Sequence, residues 1–95
     1  MLSTVITMED DDRAEIDPRG YDTAYEVVAG RLERRIRAGE FLWHRPLPSE
    51  PALAEWYGVS RTTVRSAIDL LAGKGMVEKR RGKGTFVTWR PDGQP

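Results

Sequence analysis

Arg61, Thr62, Thr63 and Arg65 stand within five positions of one another, and their shared chemistry is the recognition of phosphates and base edges. An arginine fork can grip a phosphate or pair in bidentate fashion with a guanine edge. A threonine offers a hydroxyl to phosphate or base and a methyl to thymine. Ser60, directly upstream, reads as the N-cap of a helix. A helix starting there would point open N–H groups and the positive end of its dipole at an anion. A second cluster, Arg81–Gly82–Lys83–Gly84, combines cations with glycines that let the backbone approach a groove closely. Ser49 begins another helix and is a candidate for a further backbone contact. The expected DNA-contacting set is therefore Ser49, Ser60, Arg61, Thr62, Thr63, Arg65, Arg81, Gly82, Lys83 and Gly84.

Catalytic chemistry has no comparable footing. The chain has no cysteine and only one histidine, His44, which removes thiolate nucleophiles, thiolate zinc sites and multi-histidine metal sites together. Gly82–Lys83–Gly84–Thr85 superficially resembles a phosphate-binding loop, but the glycine required five residues before the Gly-Lys pair is Val77. Ser49 or Ser60 with His44 lacks the surrounding pattern of a nucleophile site. No enzyme activity, cofactor or metal is expected.

Three helices and a hairpin must position the cationic clusters. Thr23 to Glu26 matches a capping box, and Tyr25, Val28, Ala29, Leu32 and Ile36 follow as one apolar stripe, which predicts a helix over 23–38 stopped by Gly39. Phe41–Leu42–Trp43 reads as a brief extended piece. Ser49 caps a second helix with Pro51 in its first turn, a buried face of Ala52, Leu53 and Trp56, and Gly58 at its end. After Gly58–Val59–Ser60, a third helix over 61–73 gathers Val64, Ala67, Ile68 and Leu71 on one side. Thr62, Arg65, Ser66 and Asp69 gather on the other. Arg65 and Asp69 also have the i, i+4 spacing of a simple helical ion pair. Residues 76–88 read as a hairpin with its basic tip at 81–84. The expected fold is mainly α with a small β-hairpin, a three-helix winged helix-turn-helix.

The order and spacing of these residues resemble a known family. Leu47–Pro48–Ser49–Glu50, Leu53–Ala54, Tyr57 to Arg65, Ala67, Leu71, Gly75 and Gly82 to Val87 are similar to the DNA-binding domain of the GntR family of bacterial regulators. The resemblance covers residues 21–88. It implies that Arg61, Thr62, Thr63 and Arg65 face the major groove and its phosphates, and that Arg81, Gly82 and Lys83 reach the minor groove in a wing. The implied role is a cytoplasmic, nucleoid-associated transcriptional regulator, a repressor, on double-stranded DNA. The sequence departs from the family pattern in three ways. Pro51 stands where the family usually has arginine, so that contact is not carried over. Trp43–His44 stands where it usually has a Pro-Gly turn. The family usually carries an effector-binding and dimerisation domain after the wing, and no such domain is expected in these 95 residues. Pairing of two copies on an inverted-repeat operator is therefore expected to happen on DNA. The alternative is a winged-helix module that works through a partner protein.

The net charge of zero conceals a segregation. Residues 1–22 hold seven acids and two bases, whereas residues 23–95 hold eight acids and thirteen bases. A basic domain behind an acidic arm suits a nucleic-acid partner. Residues 1–20 read as a flexible acidic arm, 21–89 as the DNA-binding domain and 90–95 as a disordered tail. The arm's aspartates are positioned in sequence to compete with DNA for the basic face. No apolar run reaches the length of a membrane span, and Glu9 to Asp12 stands where a signal-peptide cleavage site would lie.

Overall fold

The computed structural model of the chain describes Ile16 and residues 21–91. Three helices pack around one core, and a hairpin closes its edge. Helix α1 is Tyr21–Arg37, α2 is Glu50–Tyr57 and α3 is Arg61–Gly73. Strands β1 (Val77–Arg80) and β2 (Gly84–Val87) pair antiparallel, with Val77 opposite Val87 and Arg80 opposite Gly84. This is the winged helix-turn-helix that the sequence pattern implies.

Helix α1 begins at Tyr21, so Thr23 to Glu26 falls inside its first turns rather than capping it. Its predicted stripe is otherwise in place. Val28, Ala29, Leu32 and Ile36 are buried, Ala24 joins them, and Tyr25 packs against them from a half-buried position. The helix ends in a Schellman motif. Glu40 N–H donates to the Arg35 carbonyl at 2.9 Å and Gly39 N–H to the Ile36 carbonyl at 3.1 Å, with Gly39 left-handed at φ 85°.

Helix α2 is short and depends on its caps. Ser49 Oγ accepts from Ala52 N–H at 3.2 Å, and Gly58 adopts φ 68° at the other end. Its buried residues are Leu53, Ala54 and Tyr57, with Trp56 half-buried and Ala52 exposed. The predicted face of Ala52, Leu53 and Trp56 is thus rotated by about one residue. The rotation brings Tyr57 and Trp56 to Arg35 of α1, a cation that the apolar stripe did not flag.

Arg35 is only 8% exposed. One guanidinium nitrogen donates to Tyr57 Oη at 3.1 Å and another to Glu40 at 2.5 Å. The group also lies 4.5 Å from the Phe41 ring centroid and 5.1 Å from that of Trp56. A buried charge is tolerated when it is paired, hydrogen-bonded and stacked in this way. Arg35 therefore ties α1, the loop that follows it and α2 to a single point.

The extended piece lies later than predicted, at 44–47 rather than 41–43. His44 N–H donates to the Val87 carbonyl at 2.9 Å, Val87 N–H to the Arg45 carbonyl at 3.0 Å and Leu47 N–H to the Thr85 carbonyl at 2.8 Å. The 44–47 segment thus runs along the free edge of β2, and Pro46 pairs with Phe86. The segment turns into this position through His44, whose φ of 76° is the one left-handed non-glycine conformation among the described residues. The His44 ring stacks on Trp43 at 4.3 Å, and Arg90 lies over the other ring system at 4.6 Å from the Trp43 centroid. Arg90, read from the sequence as the start of the tail, is held by this contact. Ile16 is buried with the core although it belongs to the expected flexible arm. The rest of that arm and residues 92–95 lie outside the described residues.

Glu33 on α1 accepts from Lys74 Nζ, just past α3, at 2.9 Å and from Arg37 Nε at 2.9 Å. The Lys74 hydrogen bond above all, with Arg37 adding to it, holds the Glu33 carboxyl below its ordinary value of 4.5 against the partial burial that would raise it. A depressed carboxyl stabilises the fold above the unfolded-state value and loses that contribution as pH falls through the folded one. The stability difference between the parent and Glu33→Gln should therefore be constant above pH 4.5 and shrink below it in denaturant titrations. A difference that persists unchanged well below pH 4.5 would contradict this. Residue 44 gives a second test by thermal denaturation. His44→Val should lower stability by about 1 kcal/mol or more, because a β-branched residue resists the left-handed region. His44→Gly should stay within about 1 kcal/mol of the parent, since relief of strain offsets loss of the stack. A His44→Val variant as stable as the parent would show that the turn does not need that conformation.

Candidate nucleic-acid interface

Helix α3 positions its polar face by burying the opposite one. Val64, Ala67, Ile68 and Leu71 are each 1% exposed or less. At about 100° per residue, this leaves Arg61, Thr62, Arg65 and Asp69 exposed and Ser66 half-buried on the far side. The helix start is fixed by Ser60, whose Oγ accepts from Thr63 N–H at 3.0 Å and donates to Thr63 Oγ1 at 3.0 Å.

The structure places Thr63 differently from the other candidates. It is 3% exposed, and both its N–H and its hydroxyl are engaged by Ser60. Its place is inside the helix-turn-helix corner, where it locks the N-terminus of α3. The reason is angular: position 63 lies next to Val64 and toward Ala67, on the edge of the buried arc. Ser60 is likewise committed to capping. Arg61, Thr62 and Arg65 face outward from this turn, and Ser60 is exposed beside them.

The wing tip is built by two glycines. Lys83 N–H donates to the Arg80 carbonyl at 2.9 Å, closing a turn in which Gly82 has φ 76°, and Gly84 follows at φ 116°. A side chain at either position would be strained. Arg81, Gly82, Lys83 and Gly84 are all exposed. Arg80, one residue earlier, stacks over Phe86 at 4.7 Å and pairs with Glu78, so it belongs to the strand rather than to the tip.

Ser49 joins the wing through a groove of about 400 Å³. Pro46 to Pro51 form one wall, and Lys83, Gly84 and Thr85 form the other, with Ile68 at the base. Glu50 lines this groove and reaches α3, where Arg65 Nη2 lies 3.1 Å from Glu50 Oε1. The Arg65–Asp69 pair allowed by sequence spacing is not formed. Asp69 pairs with Lys79 of β1 instead, tying α3 to the wing. Glu50 and the Asp69–Lys79 pair were not legible as functional residues, because no spacing rule joins positions 15 or 10 apart across different elements.

The cations differ in whether a carboxylate holds them. Arg35, Arg37, Lys74, Lys79 and Arg80 each have a carboxylate partner that belongs to the fold. Among the described residues, Arg45, Arg61, Arg81 and Lys83 have no carboxylate partner; all four are exposed, Arg45 on the segment beside β2 and the other three at the start of α3 or at the wing tip. Three of these four cations thus stand on the two projecting elements. Groups of histidines, cysteines or carboxylates able to hold a metal are not found among the described residues. No helix among them is long and apolar enough to cross a membrane.

Comparison with known proteins places this arrangement. The chain is 39% identical over 82 residues to the probable transcriptional regulator PhnF of Escherichia coli (strain K12), covering 82% of this chain and 32% of that protein. It is 41% identical over 64 residues to the HTH-type transcriptional repressor NagR of Bacillus subtilis (strain 168), covering 67% and 26%. The chain therefore spans about a third or less of the length of these relatives. Its fold is similar to that of the AraR DNA-binding domain in complex with operator ORE1. The TM-score is 0.67 at 35% identity, with 68% of this chain and 79% of that one covered. The family model for the bacterial regulatory proteins of the gntR family matches residues 24–87, helices and wing together. With α3, the capped corner and the glycine-tipped wing all inside that match, the chain belongs to the GntR family of bacterial regulatory proteins.

Proposed function

We propose that the chain binds double-stranded DNA in a sequence-specific way and acts as a transcriptional regulator, a repressor, in the cytoplasm at the nucleoid. The observation that carries this reading is the gathering of Arg61, Arg81 and Lys83, cations without carboxylate partners among the described residues, on α3 and the wing tip. Helix α3 enters the major groove, with Arg61, Thr62 and Arg65 toward base edges and phosphates. Lys83 and Arg81 follow the backbone into the minor groove, which Gly82 and Gly84 let the tip approach. Ser49, Ser60 and Thr63 hold the two helix starts in place. The operator-bound AraR domain and the repressor NagR among its relatives support both the DNA partner and the repressor output. Two copies pair on an inverted repeat, because one small module buries little surface and regulators commonly read two half-sites about one helical turn apart.

Titration of a fluorescent duplex selected from a randomised pool tests the reading. Affinity should fall steeply between low and physiological salt. Saturation should come at two chains per palindromic duplex. Lys83→Ala should weaken selected and random duplexes alike and reduce the salt slope by about 1. Arg65→Ala should cost about 1–3 kcal/mol on the selected duplex and relax preference at one base pair. Absence of salt-sensitive binding would reject the DNA reading in favour of a protein-interaction module.

A further inference from the structure

Arg65 is the exception among the outward cations of α3 and the wing tip. Arg61, Arg81 and Lys83 stand without a carboxylate among the described residues, while Arg65 is paired with Glu50. The pair does not serve stability in any evident way. It is a surface contact between side chains 55% and 28% exposed, of the kind that contributes little to folding. Its placement suggests a different use. Glu50 is the first residue of α2, held by the Ser49 cap and favoured there by the helix dipole. It is also a wall of the groove that faces the wing.

We infer that Glu50 is a positioning residue for Arg65, fixing its guanidinium to read a guanine edge and discouraging it from gripping phosphate. The contact is single, from Nη2 to Oε1 at 3.1 Å, so the other N–H groups of the fork remain to be presented elsewhere. A phosphate brought to the same guanidinium would sit beside the Glu50 carboxylate, and two anions would compete for one cation. The N7 and O6 acceptors of guanine carry no net charge, so Arg65 can serve them without giving up Glu50. The arrangement therefore separates the cations by task. Arg61, Arg81 and Lys83 are left to attract the backbone, whereas Arg65 is held back from it. This inference rests on the reading that α3 enters the major groove.

The test compares base preferences selected from a randomised duplex pool for the parent, E50Q and R65K. The parent should select guanine at one position of each half-site. E50Q should lose discrimination at that position by about tenfold, with other positions unchanged. It should also bind random duplex about threefold more tightly at low salt, because a negative charge has left the surface. R65K leaves Glu50 and α2 intact and keeps the charge, but lacks the planar fork. It should lose the same preference, which guards the test against an E50Q variant that folds poorly. An E50Q protein with the parent's preference at every position overturns the inference while leaving the DNA reading in place. A parent that binds no duplex overturns both.

Discussion

The burial of one side of α3 is the constraint on which the rest of the molecule depends. Val64, Ala67, Ile68 and Leu71 are sealed against the other elements, most extensively against α1. Val64, Ile68 and Leu71 are each worth about 1.5–3 kcal/mol when fully removed from water. A rotation of the helix by even one residue would expose part of that surface and bury Arg65 or Thr62. Which residues face outward is therefore decided by the core. The polar face carries chemistry because the apolar face has no freedom to turn.

Two further devices set where that face points. The Ser60–Thr63 bonds and the left-handed Gly58 fix the corner between α2 and α3. Arg35 fixes α2 against α1 through Tyr57, Glu40, Phe41 and Trp56. Below these, the 44–47 segment and β2 share hydrogen bonds, which joins the wing to the loop leading into α2. The Asp69–Lys79 and Arg65–Glu50 pairs then link α3 outward to β1 and to α2. Helix α3 and the wing tip are thus positioned relative to each other by backbone bonds and ion pairs.

Much of this was legible from residue order. The helical stripes of α1 and α3, the serine caps, Gly39 and Gly58 as stops, and the glycine-flanked basic tip are local signals with local causes. What was not legible depends on contacts between distant positions. Thr63 lies at the edge of the buried arc of α3, and its engagement by the Ser60 hydroxyl depends on the geometry of the corner. The face of α2 is rotated because Arg35, twenty-two residues before Tyr57, draws Trp56 and Tyr57 to itself. The extended segment moved to 44–47 because β2 offers it an edge, which no propensity at 41–43 could reveal. Ile16 is a single apolar residue without periodicity, so its burial carried no signal.

The central claim is that the surface formed by α3 and the wing tip is the DNA-reading surface. Backbone amide and arginine side-chain shifts of isotope-labelled protein, followed by NMR during titration with a selected palindromic duplex, test it most directly. The account predicts that changes concentrate at Arg61, Thr62, Arg65, Ser66 and residues 81–84, with the Arg35 cluster and the Trp43–His44 stack unaffected. Changes centred on Leu42, Trp43 and Arg90, with α3 silent, would contradict it.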